Sequence, residues 1–157
     1  MSTQVHTLDR SPPAASAEPW WRERALALAI LLPAAIVLGL AAWFTPDPSG
    51  TGTHTQLGLA PCAMKLTTGL PCATCGMTTS FAYAAEGQFL AAFLTQPAGA
   101  ILALLTAMAA LLSAWALVTG MSLMPLIQQL IRPRVVVGTI VFLLVSWGYT
   151  LWQAMGT

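Results

Sequence analysis

The sequence predicts an all-α integral membrane protein with three transmembrane helices and a cysteine-containing loop between the first two. Hydrophobic residues make up 57% of the chain and charged residues only 7%, whereas a soluble domain carries about 25% charged residues. Three uncharged stretches are each long enough to cross about 30 Å of hydrocarbon. The net charge is +1 and no long basic run is present, which argues against a nucleic-acid-binding surface.

The N-terminal part divides into a polar tail and a first span. Residues 1–19 are polar and rich in proline, serine and alanine, which predicts a disordered tail. Residues 20–157 then form a single membrane domain, whose start is marked by tryptophans next to arginines, a pattern typical of a membrane interface. The first span is predicted at 25–44, with Pro33 inside it as a possible kink. An alternative interpretation is a signal peptide that is cleaved after Ala41.

The second and third spans are predicted at 97–118 and 135–152. The second contains many small residues, which permit close contact between membrane helices. Residues 77–94 are apolar but Gly87 interrupts them, and each half is too short to cross a bilayer. This segment therefore predicts two short interfacial helices between the first and second spans.

The basic residues predict the orientation of the chain. Five of the six lysines and arginines fall on one side of a three-span topology, and only Lys65 falls in the loop between the first two spans. Because cytoplasmic segments carry the excess of basic residues, we expect a cytoplasmic N-terminus and an extracytoplasmic cysteine loop in the inner (plasma) membrane. That compartment permits disulfide bonds.

All three cysteines of the chain lie in the loop at residues 60–76, in a C-x9-C-x2-C pattern. Gly69 and Pro71 separate Cys62 from Cys72 and Cys75 and predict a turn, so we expect the three thiols to converge. Cys75 is expected at the start of the helix that follows, where free N–H groups favour a thiolate.

Three functions are compatible with this pattern. The cysteines could form a structural disulfide between two of their number, or they could bind a metal, since C-x-x-C is a usual half-site for zinc. His54 is the histidine nearest in sequence that could add a fourth ligand, although its Pro/Gly-rich surroundings favour a solvated loop residue. Thiol–disulfide exchange is the third function, but the βαβ pattern of thioredoxin-like proteins is absent from the sequence.

We favour a non-enzymatic membrane component, and we predict no catalytic residue and no cofactor other than a possible zinc ion. The expected partners are the lipid bilayer and other membrane proteins or further copies of the chain. The candidate residues for a disulfide are Cys62, Cys72 and Cys75. The candidate metal ligands are the same three cysteines and, in addition, His54.

The segment from Cys62 to Gly99 resembles a family of uncharacterised bacterial membrane proteins, a domain of unknown function with the signature C-P, T-G-L-x-C-P-x-C-G-[LM]-T-R, G-D and N-P. The resemblance implies the membrane architecture and brings no known activity. The matching positions are Cys62, Thr68, Gly69, Leu70, Cys72, Cys75, Gly76, Met77, Thr78, Gly87 and Pro97.

The sequence departs from this signature at several positions. Ala63 and Ala73 replace prolines, and Gln96 replaces the asparagine before Pro97. Thr79 and Gln88 stand where the family has arginine and aspartate. Because both charges are missing together, we predict that Thr79 and Gln88 pair with each other by a hydrogen bond across the bend at Gly87.

Overall fold

The computed structural model describes residues 20–156, and within this range every regular element is a helix. The predicted tail at residues 1–19 lies outside the described residues. The helices are α1 (Trp20–Trp43), a 3₁₀ helix (Thr53–Leu57), α2 (Ala63–Thr68), α3 (Met77–Ala85), α4 (Phe89–Thr95), α5 (Pro97–Thr119), α6 (Met124–Leu130) and α7 (Pro133–Met155).

The predicted fold class is confirmed, because α1, α5 and α7 are long and apolar enough to cross a membrane. The cysteine segment lies between α1 and α5. Helix α1 begins at Trp20 rather than at the predicted Ala25. Its polar first turn is held by a contact between side chains one turn apart, in which the Arg24 guanidinium lies 5.1 Å from the centre of the Trp20 ring. Pro33 is accommodated within the helix.

Helices α1 and α5 pack along each other through small side chains. Ala27, Ala34 and Ala41 are buried on α1, and their spacing of seven residues places them on one face of the helix. Helix α5 buries Ala103 and other small residues. Small residues let the two backbones approach closely, which is how helices associate in a membrane where hydrophobic burial gives little driving force.

The short helices α3 and α4 cover the start of α5. Gly99 on α5 lies so close to α3 that a Cβ atom built on it would stand 2.9 Å from Ser80 Cβ. The Ser80 hydroxyl is buried and lies 2.8 Å from the Ala92 carbonyl oxygen and 3.1 Å from that of Gln96. This hydroxyl therefore ties α3 to α4 and to the residue that precedes α5.

Helix α7 contacts the rest of the chain mainly through its second half. The Ala98 backbone N–H donates to Ser146 Oγ at 3.0 Å. Trp147 Nε1 donates to the Pro71 carbonyl at 3.3 Å. These contacts join α7 to the start of α5 and to the cysteine segment.

Two parts of the predicted loop between the first and second spans are helical in the structure. The 3₁₀ helix lies in the Pro/Gly-rich connection that was predicted as loop, and α2 lies between Cys62 and Gly69. Gly69 adopts a left-handed conformation and its N–H donates to the Lys65 carbonyl. The glycine thus ends α2 as a helix cap, which is how the predicted turn is made.

The predicted hydrogen bond between Thr79 and Gln88 is wrong. Thr79 is buried and its hydroxyl pairs with the Thr53 hydroxyl at 2.8 Å. Gln88 is exposed, and its amide donates to Glu86 Oε2 at 2.8 Å. The reason is that Thr79 lies on the side of α3 that faces the 3₁₀ helix, whereas Gln88 lies beyond the end of α3 at the exposed turn.

A candidate metal-binding site of three cysteines

The three cysteine sulfurs converge, as the sequence predicted. The Sγ atoms of Cys62, Cys72 and Cys75 all lie within 4.8 Å of one another, and those of Cys72 and Cys75 are 3.3 Å apart. In a tetrahedral site with zinc–sulfur bonds of about 2.3 Å, sulfur atoms are roughly 3.8 Å apart. The observed separations are therefore close to those of a metal–thiolate site.

Local turns position each thiol. Cys62 directly precedes α2, and its carbonyl accepts from the Leu66 N–H at 3.0 Å. The Cys75 N–H donates to the Cys72 carbonyl at 3.1 Å, which bends the C-x-x-C segment so that its two sulfurs lie on the same side. Gly76 then adopts a left-handed conformation, with φ of 86°, from which α3 begins. Such a backbone conformation favours glycine.

Two side chains hold the C-x-x-C segment in place, one directly before α5 and one within the second half of α7. The Gln96 amide, next to the start of α5, donates to the Ala73 carbonyl at 2.9 Å. Trp147 on α7 donates to the Pro71 carbonyl. Gln96 is almost fully buried, so this hydrogen bond is shielded from water. Sequence reasoning did not assign either residue to the site, although Gln96 was noted as a departure from the family signature.

The three thiols differ in their tendency to ionise. Hydrogen bonds from the Lys65 backbone N–H and from the thiols of Cys75 and Cys72 lower the pKa of Cys62 to about 6. Burial, together with the hydrogen bonds that Cys75 makes with Cys72 and Cys62, raises the pKa of Cys75 to about 12. Cys62 is therefore the thiol of this group that loses its proton more readily than Cys75, and a thiolate is the form of cysteine that binds metals.

The thiols line a cavity of about 650 Å³ on the side of the cysteine segment that faces the 3₁₀ helix. His54 and Lys65 line the same cavity. Lys65 Nζ donates to Thr51 Oγ1 at 2.6 Å, which places one positive charge near the thiols. A second cavity, of about 400 Å³ and lined mostly by apolar side chains, has His54, Met77 and Thr78 in common with the first. His54 therefore stands between the two cavities.

The structure has all three cysteines as free thiols. The separation of 3.3 Å between the Cys72 and Cys75 sulfurs exceeds the covalent distance of about 2.05 Å, so a disulfide between any two of these cysteines stays a prediction. His54 is half-buried, but its ring nitrogens are not part of the group of atoms that lie within 4.8 Å of one another. The structure thus brings the three thiols together and places His54 on the wall of their cavity.

The fold and the site together define a small multi-pass membrane protein with a cysteine group between its first two long helices. Residues 62–110, which run from Cys62 into α5, match the model of a family described as a protein of unknown function, DUF2752. This match confirms the resemblance to an uncharacterised domain family. No curated protein and no solved structure is significantly similar to the chain.

Proposed function

We propose that this protein is a non-enzymatic membrane component that binds a thiophilic metal ion through Cys62, Cys72 and Cys75. The observation that carries the proposal is the convergence of all three sulfurs within 4.8 Å. Cysteine sulfur is a soft ligand that selects metals such as zinc over magnesium or calcium. Among such metals zinc is the ion that we expect, because C-x-x-C is a usual half-site for zinc.

The geometry favours a metal over a disulfide because a disulfide uses only two thiols. The third would then have no reason to lie at the same point, yet all three cysteines line one cavity and their sulfurs lie within 4.8 Å of one another. The Gln96 and Trp147 hydrogen bonds also hold the C-x-x-C backbone from outside the segment. Such positioning of ligands before the ion arrives is what a metal site requires.

The proposed orientation places the cysteine site outside the cytoplasm. Ser122, just after α5, donates to Glu23 at the start of α1 at 2.9 Å, which places these two helix ends side by side. Arg22 and Arg24 lie at this end of the molecule, whereas Lys65 lies in the cysteine loop between the other ends of α1 and α5. The basic end is therefore proposed as cytoplasmic, by the positive-inside rule.

The metal proposal predicts that the reduced, purified protein binds about one zinc ion per chain. Changing any one of the three cysteines to serine should weaken zinc binding by more than about 100-fold, because loss of even a side chain that supports a ligand costs about 10- to 100-fold. Chelator competition in detergent would measure this affinity. Ser122→Ala, at the opposite end of the molecule, serves as the control and should bind zinc normally.

Two results would contradict the metal proposal. The first is that the wild-type protein binds no zinc although all three thiols are free. The second is that zinc binds equally well to the three cysteine variants. Rapid oxidation of two thiols in a protein that binds no zinc would support the disulfide or the thiol-exchange function instead.

The orientation predicts that a membrane-impermeant maleimide labels the cysteines of intact, mildly reduced spheroplasts. Chelator should be added first, because a bound metal would protect the thiols. A variant in which all three cysteines are serine, and which carries Ser122→Cys at the opposite end, is the matched control and should be labelled only after the membrane is opened. Labelling of the control in intact spheroplasts, together with labelling of the wild type only after the membrane is opened, would show that the cysteine loop is cytoplasmic.

A further inference from the structure

We propose that His54 is the fourth ligand of the metal site and closes a Cys₃His set, an inference that rests on the proposed metal-binding function. His54 lines the same cavity of about 650 Å³ as the three thiols. Its side chain is half-buried, and within residues 20–156 no other side chain or backbone group forms a hydrogen bond with it. An imidazole that no neighbouring residue holds is free to turn toward a metal ion, and imidazole is the commonest metal ligand in proteins.

The backbone next to His54 is fixed to the helix that follows the cysteines. The buried Thr53 hydroxyl pairs with the Thr79 hydroxyl on α3 at 2.8 Å. It also accepts from the Asp47 N–H at 3.1 Å. Because α3 begins directly after Cys75 and Gly76, this anchor fixes the position of the His54 backbone relative to the thiols. The imidazole itself has no such restraint.

Binding requires rotation of the His54 side chain into the cysteine cavity. The ring nitrogens lie outside the group of sulfurs that are within 4.8 Å of one another, and the cavity of about 650 Å³ provides the space for this movement. His54 also lines the apolar cavity of about 400 Å³, which offers few polar partners to an imidazole. Rotation therefore moves the imidazole away from the apolar cavity and toward the three sulfurs.

The resulting ligand set is one of the usual sets of structural zinc sites, which are closed by four protein ligands. Three thiolates and a zinc ion carry a net charge of −1, and a neutral imidazole leaves that charge unchanged. Lys65 supplies a positive charge on the wall of the same cavity. A closed site of this kind holds its ion and ties the 3₁₀ helix to the cysteine segment.

The test uses the full-length protein in detergent, loaded with Co²⁺ as a spectroscopic substitute for zinc. His54→Ala should shift the visible ligand-field bands of Co²⁺ and keep the thiolate-to-metal charge-transfer bands. It should also weaken zinc binding by more than about 100-fold, as loss of a cysteine ligand should, because loss of even a side chain that only supports a ligand costs about 10- to 100-fold. His6→Ala changes the other histidine of the chain and should leave both the spectrum and the affinity as they are.

A second variant shows whether His54→Ala weakens binding because a ligand is lost or because the protein no longer folds. His54→Cys should retain tight zinc binding and give the Co²⁺ spectrum of four thiolates, because a cysteine at this position replaces one ligand by another. Unchanged Co²⁺ bands and zinc affinity in His54→Ala, together with a three-thiolate spectrum in His54→Cys, would overturn the assignment of His54. If the cysteine variants still abolished binding, the metal site would stand with a different fourth ligand. Failure of the wild-type protein to bind Co²⁺ or zinc would instead overturn the proposed function.

Discussion

Replacement of Gly99 by alanine is expected to lower the free energy of unfolding by about 1–3 kcal/mol, the usual cost of overpacking. The new Cβ would lie 2.9 Å from Ser80 Cβ and 3.3 Å from Met77 Cα. Both of these atoms belong to or are attached directly to the backbone of α3, so neither can rotate away. Helix α3 would have to move away from α5, which would also disturb the hydrogen bonds of the Ser80 hydroxyl.

Gly148→Ala is the matched control for this prediction. Gly148 also lies inside a long helix, α7, but a Cβ there would meet nothing within 4 Å. Alanine is favoured over glycine in a helix by about 0.5–1 kcal/mol, so this variant should be as stable as the wild type or slightly more stable. Thermal unfolding in detergent, followed by circular dichroism, would compare the two. Equal stability of both variants would show that α3 and α5 are not in close contact at Gly99.

Replacement of Gly76 by alanine should lower both the stability of the protein and its affinity for metal. Gly76 has φ of 86°, and a Cβ on it would lie 3.0 Å from the Gly50 backbone oxygen. A left-handed conformation costs a residue other than glycine about 1–2 kcal/mol, and the contact with Gly50 adds to this cost. If the backbone relaxes at Gly76, Cys75 moves with it, and we expect zinc affinity to fall by at least about tenfold, in line with the loss of support for a ligand.

Gly120→Ala separates the two causes. Gly120, which follows α5 at the end of the molecule opposite the cysteines, has a similar φ of 72°, but a Cβ there would meet nothing within 4 Å, so this variant should show only the cost of the backbone conformation. Unfolding curves and zinc competition would give the stability and the zinc affinity of both variants. The difference between the variants in each quantity measures the effect of the contact with Gly50. The same loss of stability and the same zinc affinity in both would mean that the Gly76–Gly50 contact does not fix Cys75.

The sequence was sufficient to predict the long helices and the convergence of the thiols. The long helices follow from length and composition, because an uncharged stretch that crosses the hydrocarbon must form a helix to satisfy its backbone. The convergence follows from Gly69 and Pro71, which turn the chain between Cys62 and the C-x-x-C pair. Both predictions depend on residues that are close together in the sequence.

The contacts that complete the site could not be predicted in this way. Gln96 and Ala73 are 23 residues apart, and Trp147 and Pro71 are 76 residues apart. Which side chains meet over such distances depends on how far each helix is rotated about its axis, and a composition pattern does not fix that rotation. The error at Thr79 has the same origin, since its partner, Thr53, is 26 residues away in a stretch that was predicted as loop.

The hydrogen bonds from Gln96 and Trp147 to the C-x-x-C segment also bear on how the protein could be studied in pieces. A peptide of residues 60–76 would contain all three sulfurs, but it would lack both donors and the helices that carry them. Its backbone would sample many conformations, and the entropy of ordering it would be subtracted from the free energy of metal binding. The affinity of the intact protein is therefore a property of the assembled bundle, and a soluble fragment would underestimate it.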